Sequence, residues 1–163
     1  MTKKQKWFVG FMAALLLTVG IATQVSARDM KSYPPSMCDA VGTGDMRHSS
    51  SYSYMSSAGT AICPVIKDRW GSDLWQWGGV HVYDTNSSAN ISCTLYARNQ
   101  SGGATDWETN STSGTPGNVR LEFDVTTGTA SSTATYSYYC TFGAGATNLS
   151  IKSYFLSEFN DED

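Results

Sequence analysis

Basic residues and histidines are scarce in this chain, and their scarcity excludes several functions. Eleven Lys and Arg and two His occur among 163 residues, against fourteen Asp and Glu. Three of the basic residues lie in the first 27 positions, so the remainder carries eight positive and fourteen negative charges, a net charge of −6. A domain this acidic lacks the basic surface that nucleic-acid binding requires. It is also poorly suited to anionic membrane surfaces.

The common motifs of catalytic and cofactor sites are absent as well. The sequence has no C-x-x-C pair for zinc, no G-x-S-x-G nucleophile elbow and no glycine loop that would hold a phosphate. Asp84-Thr85-Asn86 begins like a calcium loop, but Ala89 and Leu95 stand where such a loop carries Gly and Glu. We therefore expect no cofactor, no metal site and no enzymatic activity.

Two weaker patterns keep a small secreted hydrolase as an alternative. His48 precedes a run of serines, and a Ser-His-Asp triad is recognised by geometry rather than by sequence order. Asp106 and Glu108 would lie on one face of a strand about 7 Å apart, a separation that glycoside hydrolases use. Both patterns are also typical of ordinary strand surfaces, and His81 is expected to lie in a strand opposite the core.

The first 27 residues have the layout of a secretory signal peptide. Lys3, Lys4 and Lys6 precede an apolar run over 7–21, and small residues end the segment at Val25-Ser26-Ala27. The run is short for a membrane span, which needs about 20 apolar residues. We predict cleavage after Ala27, with a retained N-terminal anchor as the alternative. The mature chain is then secreted or periplasmic and has no membrane span.

Four cysteines remain after that cleavage, and an even number in an exported domain predicts two disulfides. Four cysteines allow three pairings, and their spacing alone does not choose among them. The strand register places Cys93 and Cys140 on core-facing sides of two strands. It therefore favours Cys93–Cys140, which leaves Cys38–Cys63 to tie the N-terminal part to a shorter strand.

Period-two alternation predicts an all-β fold, because no helical periodicity follows residue 27. Turn segments rich in Gly, Asn, Ser and Pro separate the alternating runs. Seven or eight short strands spaced in this way predict one antiparallel β-sandwich of Greek-key or jelly-roll type. The same-face apolar sets are Val80 and Val82; Ile91, Cys93, Leu95 and Ala97; Val119, Leu121, Phe123 and Val125; Tyr136, Tyr138, Cys140 and Phe142; and Leu149 and Ile151.

The domain boundaries follow from the same patterns. Residues 28–57 are predicted to be mostly a polar arm with a first strand, 58–159 the β-sandwich, and 160–163 an acidic tail. Ala61 to Lys67 contains Pro64, which favours an edge strand.

Three segments together resemble a group of small secreted bacterial proteins of unknown function. They are Tyr33-Pro34-Pro35-Ser36-Met37-Cys38, Cys63-Pro64-Val65-Ile66-Lys67-Asp68 and the final Ser153-Tyr154 before an acidic residue. The resemblance covers most of the mature chain and implies a bacterial source, a β-rich domain and export. It implies no activity and no catalytic residues.

A cluster of tryptophans between residues 70 and 79 is the feature most open to a ligand-binding interpretation. Trp75 and Trp77 share a face if the segment is extended, and paired indole rings form a surface on which a sugar ring stacks. Asp73 and Gln76 could supply directional hydrogen bonds. The alternative is that the indoles close one end of the core. The candidate ligand-binding residues are Trp70, Asp73, Trp75, Gln76 and Trp77.

These observations predict an exported, non-catalytic β-sandwich that binds carbohydrate or another surface ligand. The alternative is a structural or protein-interaction component of the cell envelope or extracellular matrix, with another envelope protein as partner. In that case the tryptophans would belong to the core.

Overall fold

Two antiparallel β-sheets packed face to face form the protein in this computed structural model. The structure describes residues 29–42, 44–66, 75–85, 87–88, 90–114, 116–126, 135–144 and 149–158. The predicted signal peptide and acidic tail lie outside these ranges. The strands are β1 (Asp29–Tyr33), β2 (Asp39–Val41), β3 (Met46–His48), β4 (Ser53–Met55), β5 (Gly59–Val65), β6 (Trp75–Asp84), β7 (Ile91–Arg98), β8 (Ala104–Ser111), β9 (Gly117–Thr126), β10 (Thr135–Phe142) and β11 (Ser150–Glu158), with a 3-10 turn at Pro35–Met37.

The strand order defines a six-stranded and a five-stranded sheet. The six-stranded sheet has the order β3-β4-β11-β6-β9, and β1 pairs with the second half of β11. The five-stranded sheet has the order β2-β5-β10-β7-β8. After β5 the chain changes sheet at every connection except β7–β8, as in Greek-key and jelly-roll sandwiches. The predicted single antiparallel β-sandwich is confirmed. Within the described ranges no helix is long and apolar enough to cross a membrane.

The core lies between the sheets and is filled by the alternating residues of the long strands. On β7, Ile91, Cys93, Leu95 and Ala97 are all buried, whereas the residues between them are partly exposed. Strand β10 repeats the pattern from Tyr136 to Phe142. Burial of each large apolar side chain stabilises the fold by about 1.5–3 kcal/mol, so the period-two pattern fixes which face of each strand is inside.

Three buried tyrosines join the two sheets by hydrogen bonds. Tyr33 and Tyr154, on the six-stranded sheet, donate their hydroxyls to the carbonyls of Ile66 and Pro64 at the end of β5, each at 2.9 Å. Tyr138, on the five-stranded sheet, donates to the carbonyl of Phe155 at 2.8 Å. Burial raises the pKa of both Tyr138 and Tyr154. These hydroxyls therefore bond backbone carbonyls at the end of β5 and in β11 and fix the two sheets relative to each other.

Both predicted disulfides are confirmed. Cys93 and Cys140 are directly opposite each other on β7 and β10, and their Cα atoms are 4.0 Å apart. Cys38, just after the 3-10 turn, bonds Cys63 on β5. Structural disulfides of this kind form and persist in oxidising compartments, so the structure fits an extracellular or periplasmic protein.

The N-terminal segment differs from the polar arm expected for it. It contributes four short strands, of which β1, β3 and β4 belong to the six-stranded sheet and β2 to the five-stranded sheet. Three of them have only three residues, too few to show a periodicity. The buried side chains of Tyr33, Cys38 and Met55 anchor the segment to the core.

The position of β5 also differs from expectation. It lies between β2 and β10 rather than at an edge. However, β2 pairs only with Thr60 to Ile62. Pro64 therefore lies beyond that pairing, where its missing N–H interrupts no ladder with β2.

The free edge of β9 is covered by side chains from β8. The Glu108 carboxylate accepts a hydrogen bond from the backbone N–H of Asp124, and the Asn110 amide donates to the carbonyl of Glu122 at 2.6 Å. An edge strand otherwise presents unpaired backbone groups that invite pairing with another chain. Here two polar side chains satisfy them and close the sandwich at this side.

Candidate ligand-binding face

Two of the five predicted ligand-binding residues lie outside the described residues, namely Trp70 and Asp73. Of Trp75 only the backbone is described, and it begins β6 opposite Thr126 of β9. For Gln76 and Trp77 the structure gives both the backbone and the position of the side chain.

Gln76 and Trp77 lie on opposite sides of the six-stranded sheet, because consecutive strand residues alternate in direction. Gln76 faces the core and is fully buried, and neither polar atom of its amide has a hydrogen-bond partner within the described part of the chain. Trp77 is half-buried on the outer face. The structure therefore does not bring the predicted hydrogen-bonding Gln76 to the surface that Trp77 occupies.

Trp77 belongs to a packed aromatic group on that outer face. Its ring makes an edge contact with Phe155 at 5.1 Å, and the Arg120 guanidinium lies over it at 4.7 Å. The Phe155 ring rests on Gly79, where a Cβ would come within 2.6 Å of it. The Trp77 indole is therefore already engaged with neighbouring side chains on this part of the sheet.

A second group of aromatic residues forms an open cleft on the same outer face. Tyr54, Ser150 and Tyr83 are register partners on β4, β11 and β6. Adjacent strands are about 4.8 Å apart, so the two tyrosines stand about 10 Å from each other with a small serine between them. We call the resulting cavity the tyrosine cleft. It has a volume of about 460 Å³ and is lined by Tyr52, Tyr54, Tyr83, Thr85, Ser150 and Lys152.

A β-bulge in β11 inserts Lys152 beside the cleft. Ile151 pairs with Val82 and Ser153 with His81, so that Lys152 is the extra residue between them. Bulges commonly redirect a side chain next to a functional site. The Lys152 ammonium lies 4.5 Å from the ring centroid of Tyr52 and 5.2 Å from that of Tyr83. Lys152 therefore brings a cation to two aromatic rings on the side of the sheet that it shares with Ser150.

The cleft also presents a serine hydroxyl that makes no hydrogen bond within the described residues. Ser150 is nearly buried at the cleft floor, and its hydroxyl makes no hydrogen bond to the described part of the chain. Tyr83 is 37 % exposed, and Tyr52 and Tyr54 are half-buried with ring centroids 5.9 Å apart. The cleft thus offers aromatic faces, hydroxyls and one positive charge to a ligand.

The His48–Ser53 pair has the wrong hydrogen-bond polarity for nucleophilic catalysis. Ser53 is fully buried, and its hydroxyl donates to the carbonyl of Pro35 at 2.8 Å. It therefore accepts from His48 Nδ1, which lies at 2.7 Å. A nucleophilic serine instead gives its proton to the histidine. This pair joins β3 and β4 to the 3-10 turn.

The other residues considered for chemistry also have structural partners. Glu108 holds the edge of β9, as described above, while Asp106 lies two residues away on the same half-buried side of β8. Asp84 is buried and accepts a hydrogen bond from the Thr112 hydroxyl. Among the residues described here, no group of three or more His, Cys, Asp or Glu is arranged to hold a metal ion.

Sequence reasoning missed the tyrosine cleft because its residues are far apart in the chain. The Tyr-x-Tyr pattern at 52 and 54 is visible in the sequence, but Tyr83 and Ser150 join it only through the register of three strands. Alternation places Lys152 on the side of Ser150, but it does not show which side chains of the neighbouring strands Lys152 contacts.

Comparison with protein-family profiles finds no match, nor does comparison with curated protein sequences. Among solved structures, the infectious bursal disease virus VP2 subviral particle superposes with a TM-score of 0.47 and 10 % identity, over 88 % of this chain and 37 % of that one. The exo-beta-1,3-galactanase of Phanerochaete chrysosporium with galactose has a TM-score of 0.43 and 14 % identity, over 78 % and 29 %. The isomalto-dextranase of Arthrobacter globiformis T6 complexed with panose has a TM-score of 0.45 and 13 % identity. The match covers 78 % of this chain and 23 % of that one. This chain therefore spans less than two fifths of each of these proteins.

Proposed function

We propose that the protein is an exported, non-catalytic β-sandwich that binds carbohydrate in the tyrosine cleft. The observation that carries this proposal is an open cleft of about 460 Å³ walled by three tyrosine rings and floored by a serine hydroxyl. Small-molecule sites are typically concave, with aromatic walls and a few polar groups that fix orientation. A sugar ring has an apolar face that stacks on an aromatic ring and hydroxyls that need hydrogen-bond partners.

The width of the cleft suits one sugar ring. Tyr54 and Tyr83 stand about 10 Å apart across Ser150. Because β4 and β6 both pair with β11, which lies between them, the positions of the two tyrosines are held by backbone pairing. A preformed site of this kind loses little conformational entropy when a ligand binds.

Export accounts for the two disulfides and the hydroxyl-rich, weakly charged composition. We propose that the N-terminal 27 residues direct the chain out of the cytoplasm and that the disulfides form afterwards. The proposal that the protein is not an enzyme agrees with the structural partners of His48, Ser53 and Glu108.

A glycan array tests the proposed function. The full chain is expressed with its own N-terminal segment in an exporting host, purified with its disulfides intact, and compared with a Tyr54→Ala, Tyr83→Ala variant. A Tyr96→Ala, Tyr139→Ala variant, altered on the outer face of the opposite sheet, is the matched control. We expect the wild type and the control to bind and the cleft variant to lose binding while keeping its circular dichroism spectrum. A wild type that binds no glycan would overturn the proposal.

A protein-interaction role is the second candidate, and a separate observation favours it. Trp107 is 60 % exposed on the outer face of the five-stranded sheet, directly opposite Tyr96 on the next strand. The Arg98 guanidinium stacks over Tyr96 at 4.7 Å. Trp, Tyr and Arg are the residues most enriched at binding hot spots. Chemical cross-linking in the cell envelope would test this role. A partner protein that is cross-linked to the wild type but not to a Trp107→Ala variant would support it.

A further inference from the structure

The ammonium group of Lys152 is the one charged group among the residues that line the tyrosine cleft. The other five lining residues are three tyrosines, a threonine and a serine, so the cleft wall carries no carboxylate. Within the described part of the chain, Lys152 contacts the rings of Tyr52 and Tyr83 but makes no hydrogen bond or ion pair. Its three N–H donors are therefore available to a ligand.

We infer that the ligand is an acidic saccharide whose uronic acid carboxylate binds Lys152; this inference rests on the carbohydrate-binding function proposed above. A hydrogen bond between an ammonium and a carboxylate is about twice as strong as one between neutral groups. The tyrosine rings exclude water from two sides of the ammonium and so strengthen its attraction for an anion. The Ser150 hydroxyl then meets a sugar hydroxyl at the cleft floor.

The charge of the rest of the protein narrows the ligand class further. Residues 28–163 carry a net charge of −6, so a polyanion is repelled at long range. An acidic chain without rings meets only the cation, whereas a uronic acid also stacks on the tyrosine rings. Stacking on the tyrosines and the carboxylate contact are both required, which selects acidic sugars over acidic peptides.

Strand alternation and the bulge in β11 together set the position of Lys152. Alternation places residues 150 and 152 on the outer side of the sheet, while Ile151 points into the core. The bulge makes Ser153, rather than Lys152, the register partner of His81. Lys152 therefore lies on the cleft side of the sheet and has no register partner on β6.

Matched neutral and acidic oligosaccharides test the inference by isothermal titration calorimetry. The probes are oligogalacturonides and oligoglucuronides, their galactose and glucose counterparts, and polyglutamate as an anion without sugar rings. The full chain is compared with Lys152→Met, which keeps the aliphatic stem, and with Lys152→Arg, which keeps the charge. Arg98→Met is the matched control, because Arg98 stacks over Tyr96 and Tyr139 on the opposite sheet.

We expect the wild type to bind an acidic oligosaccharide at least tenfold more tightly than its neutral counterpart. Lys152→Met should abolish that preference, whereas Lys152→Arg and Arg98→Met retain it. The comparison of acidic with neutral probes needs only the wild type, so it tests the inference even if Lys152→Met fails to fold.

Three results would overturn the inference, and they differ in whether they also overturn the proposed carbohydrate-binding function. Equal or tighter binding of the neutral sugar would refute the acidic ligand but keep the carbohydrate function. Binding of polyglutamate as tight as that of the oligogalacturonides would show recognition of acidic chains in general and point to a peptide ligand. No binding to any saccharide would refute both the inference and the proposed function.

Discussion

Tyr138 donates its hydroxyl to the backbone carbonyl of Phe155 at 2.8 Å, which links the centre of the five-stranded sheet to the six-stranded sheet. The ring also contacts Phe123 and Tyr154 at centroid distances of 5.4 and 5.9 Å. Tyr138 is fully buried. One residue therefore combines an apolar contribution to the core with a polar contact between the sheets.

Alkaline pH should destabilise the protein through its buried tyrosines. Burial raises the pKa of Tyr138 and Tyr154 above the ordinary value of 10.0. Above pH 10 the unfolded chain loses these protons while the folded chain keeps them, so the free energy of unfolding falls as pH rises. We expect Tyr138→Phe to cost about 1 kcal/mol at pH 7 through the lost hydrogen bond, and to make the decline above pH 10 shallower.

Urea unfolding at pH 7, 9, 10 and 11 measures both effects. Tyr139→Phe is the control, because it removes a hydroxyl from the outer face of the same strand. An unchanged alkaline slope in Tyr138→Phe would contradict the prediction.

Gln76 should be replaceable by an apolar residue with a gain in stability. Its amide is fully buried and unpartnered within the described residues, and a buried unsatisfied polar group costs about 1–3 kcal/mol. Gln76→Met keeps the side-chain volume close to that of the wild type. We expect the free energy of unfolding to rise by about 1–2 kcal/mol and the melting temperature to rise with it.

Gln100→Met is the matched control, since Gln100 is exposed in a turn. Its effect should stay within about 0.5 kcal/mol, as is usual for surface substitutions. A loss of stability in Gln76→Met would show that the amide has a role in the fold.

The parts of the fold that were predictable depend on patterns within one strand. The alternation on β7 and β10 identified the faces of Cys93 and Cys140, and from those faces the disulfide followed. Of the three-residue strands, β4 lies within the first strand predicted for residues 28–57. Strands β2 and β3 were not predicted, because a period of two needs more residues to become visible.

The candidate site was not predictable for a different reason. The tyrosine cleft needs the register of Tyr54, Ser150 and Tyr83 across three strands. These relationships join residues that are far apart in the chain. The tryptophan-rich segment was predicted to be the binding site because its aromatic residues are close together in the sequence. Alternation, however, places Gln76 and Trp77 on opposite sides of the sheet.

Ionisation of Asp124 should lower the stability of the folded protein at neutral pH. Asp124 is exposed, and its pKa is raised by partial desolvation and by the nearby carboxylates of Glu108 and Glu122. The folded state therefore holds the Asp124 proton more tightly than the unfolded state, so ionisation destabilises the protein as pH rises above the ordinary value of 3.8. We expect Asp124→Asn to raise the urea midpoint at pH 7 and to lose this advantage below pH 3.8, where the wild-type carboxylate is protonated in both states.

The matched control is Asp39→Asn, which removes one negative charge from an exposed site on the five-stranded sheet. It corrects for the general relief of charge repulsion in an acidic chain. If the two variants shift the midpoint equally at pH 7, the effect is not specific to the cluster of Asp124 with Glu108 and Glu122.

The close approach of Gly78 to Tyr138 allows a sharper test of the contact between the sheets. A Cβ at residue 78 would lie 2.0 Å from the Tyr138 hydroxyl oxygen and 3.0 Å from the carbonyl oxygen of Phe155. Gly78→Ala must therefore displace the tyrosine and break its hydrogen bond. We expect a loss of about 1–3 kcal/mol, the range typical of overpacked cores.

A double-mutant cycle separates the clash with the hydroxyl from the other contacts. Tyr138→Phe removes the oxygen that the new methyl group would meet. Gly78→Ala should therefore lower the free energy of unfolding by at least about 1 kcal/mol less in the Tyr138→Phe background than in the wild type. An interaction energy of about this size is expected for residues in contact. Additive losses measured by urea unfolding would mean that the methyl group is resisted by the backbone of β11 rather than by Tyr138. In that case Gly78 would be required for the close pairing of β6 and β11, and the Tyr138 hydroxyl would not determine the residue at position 78.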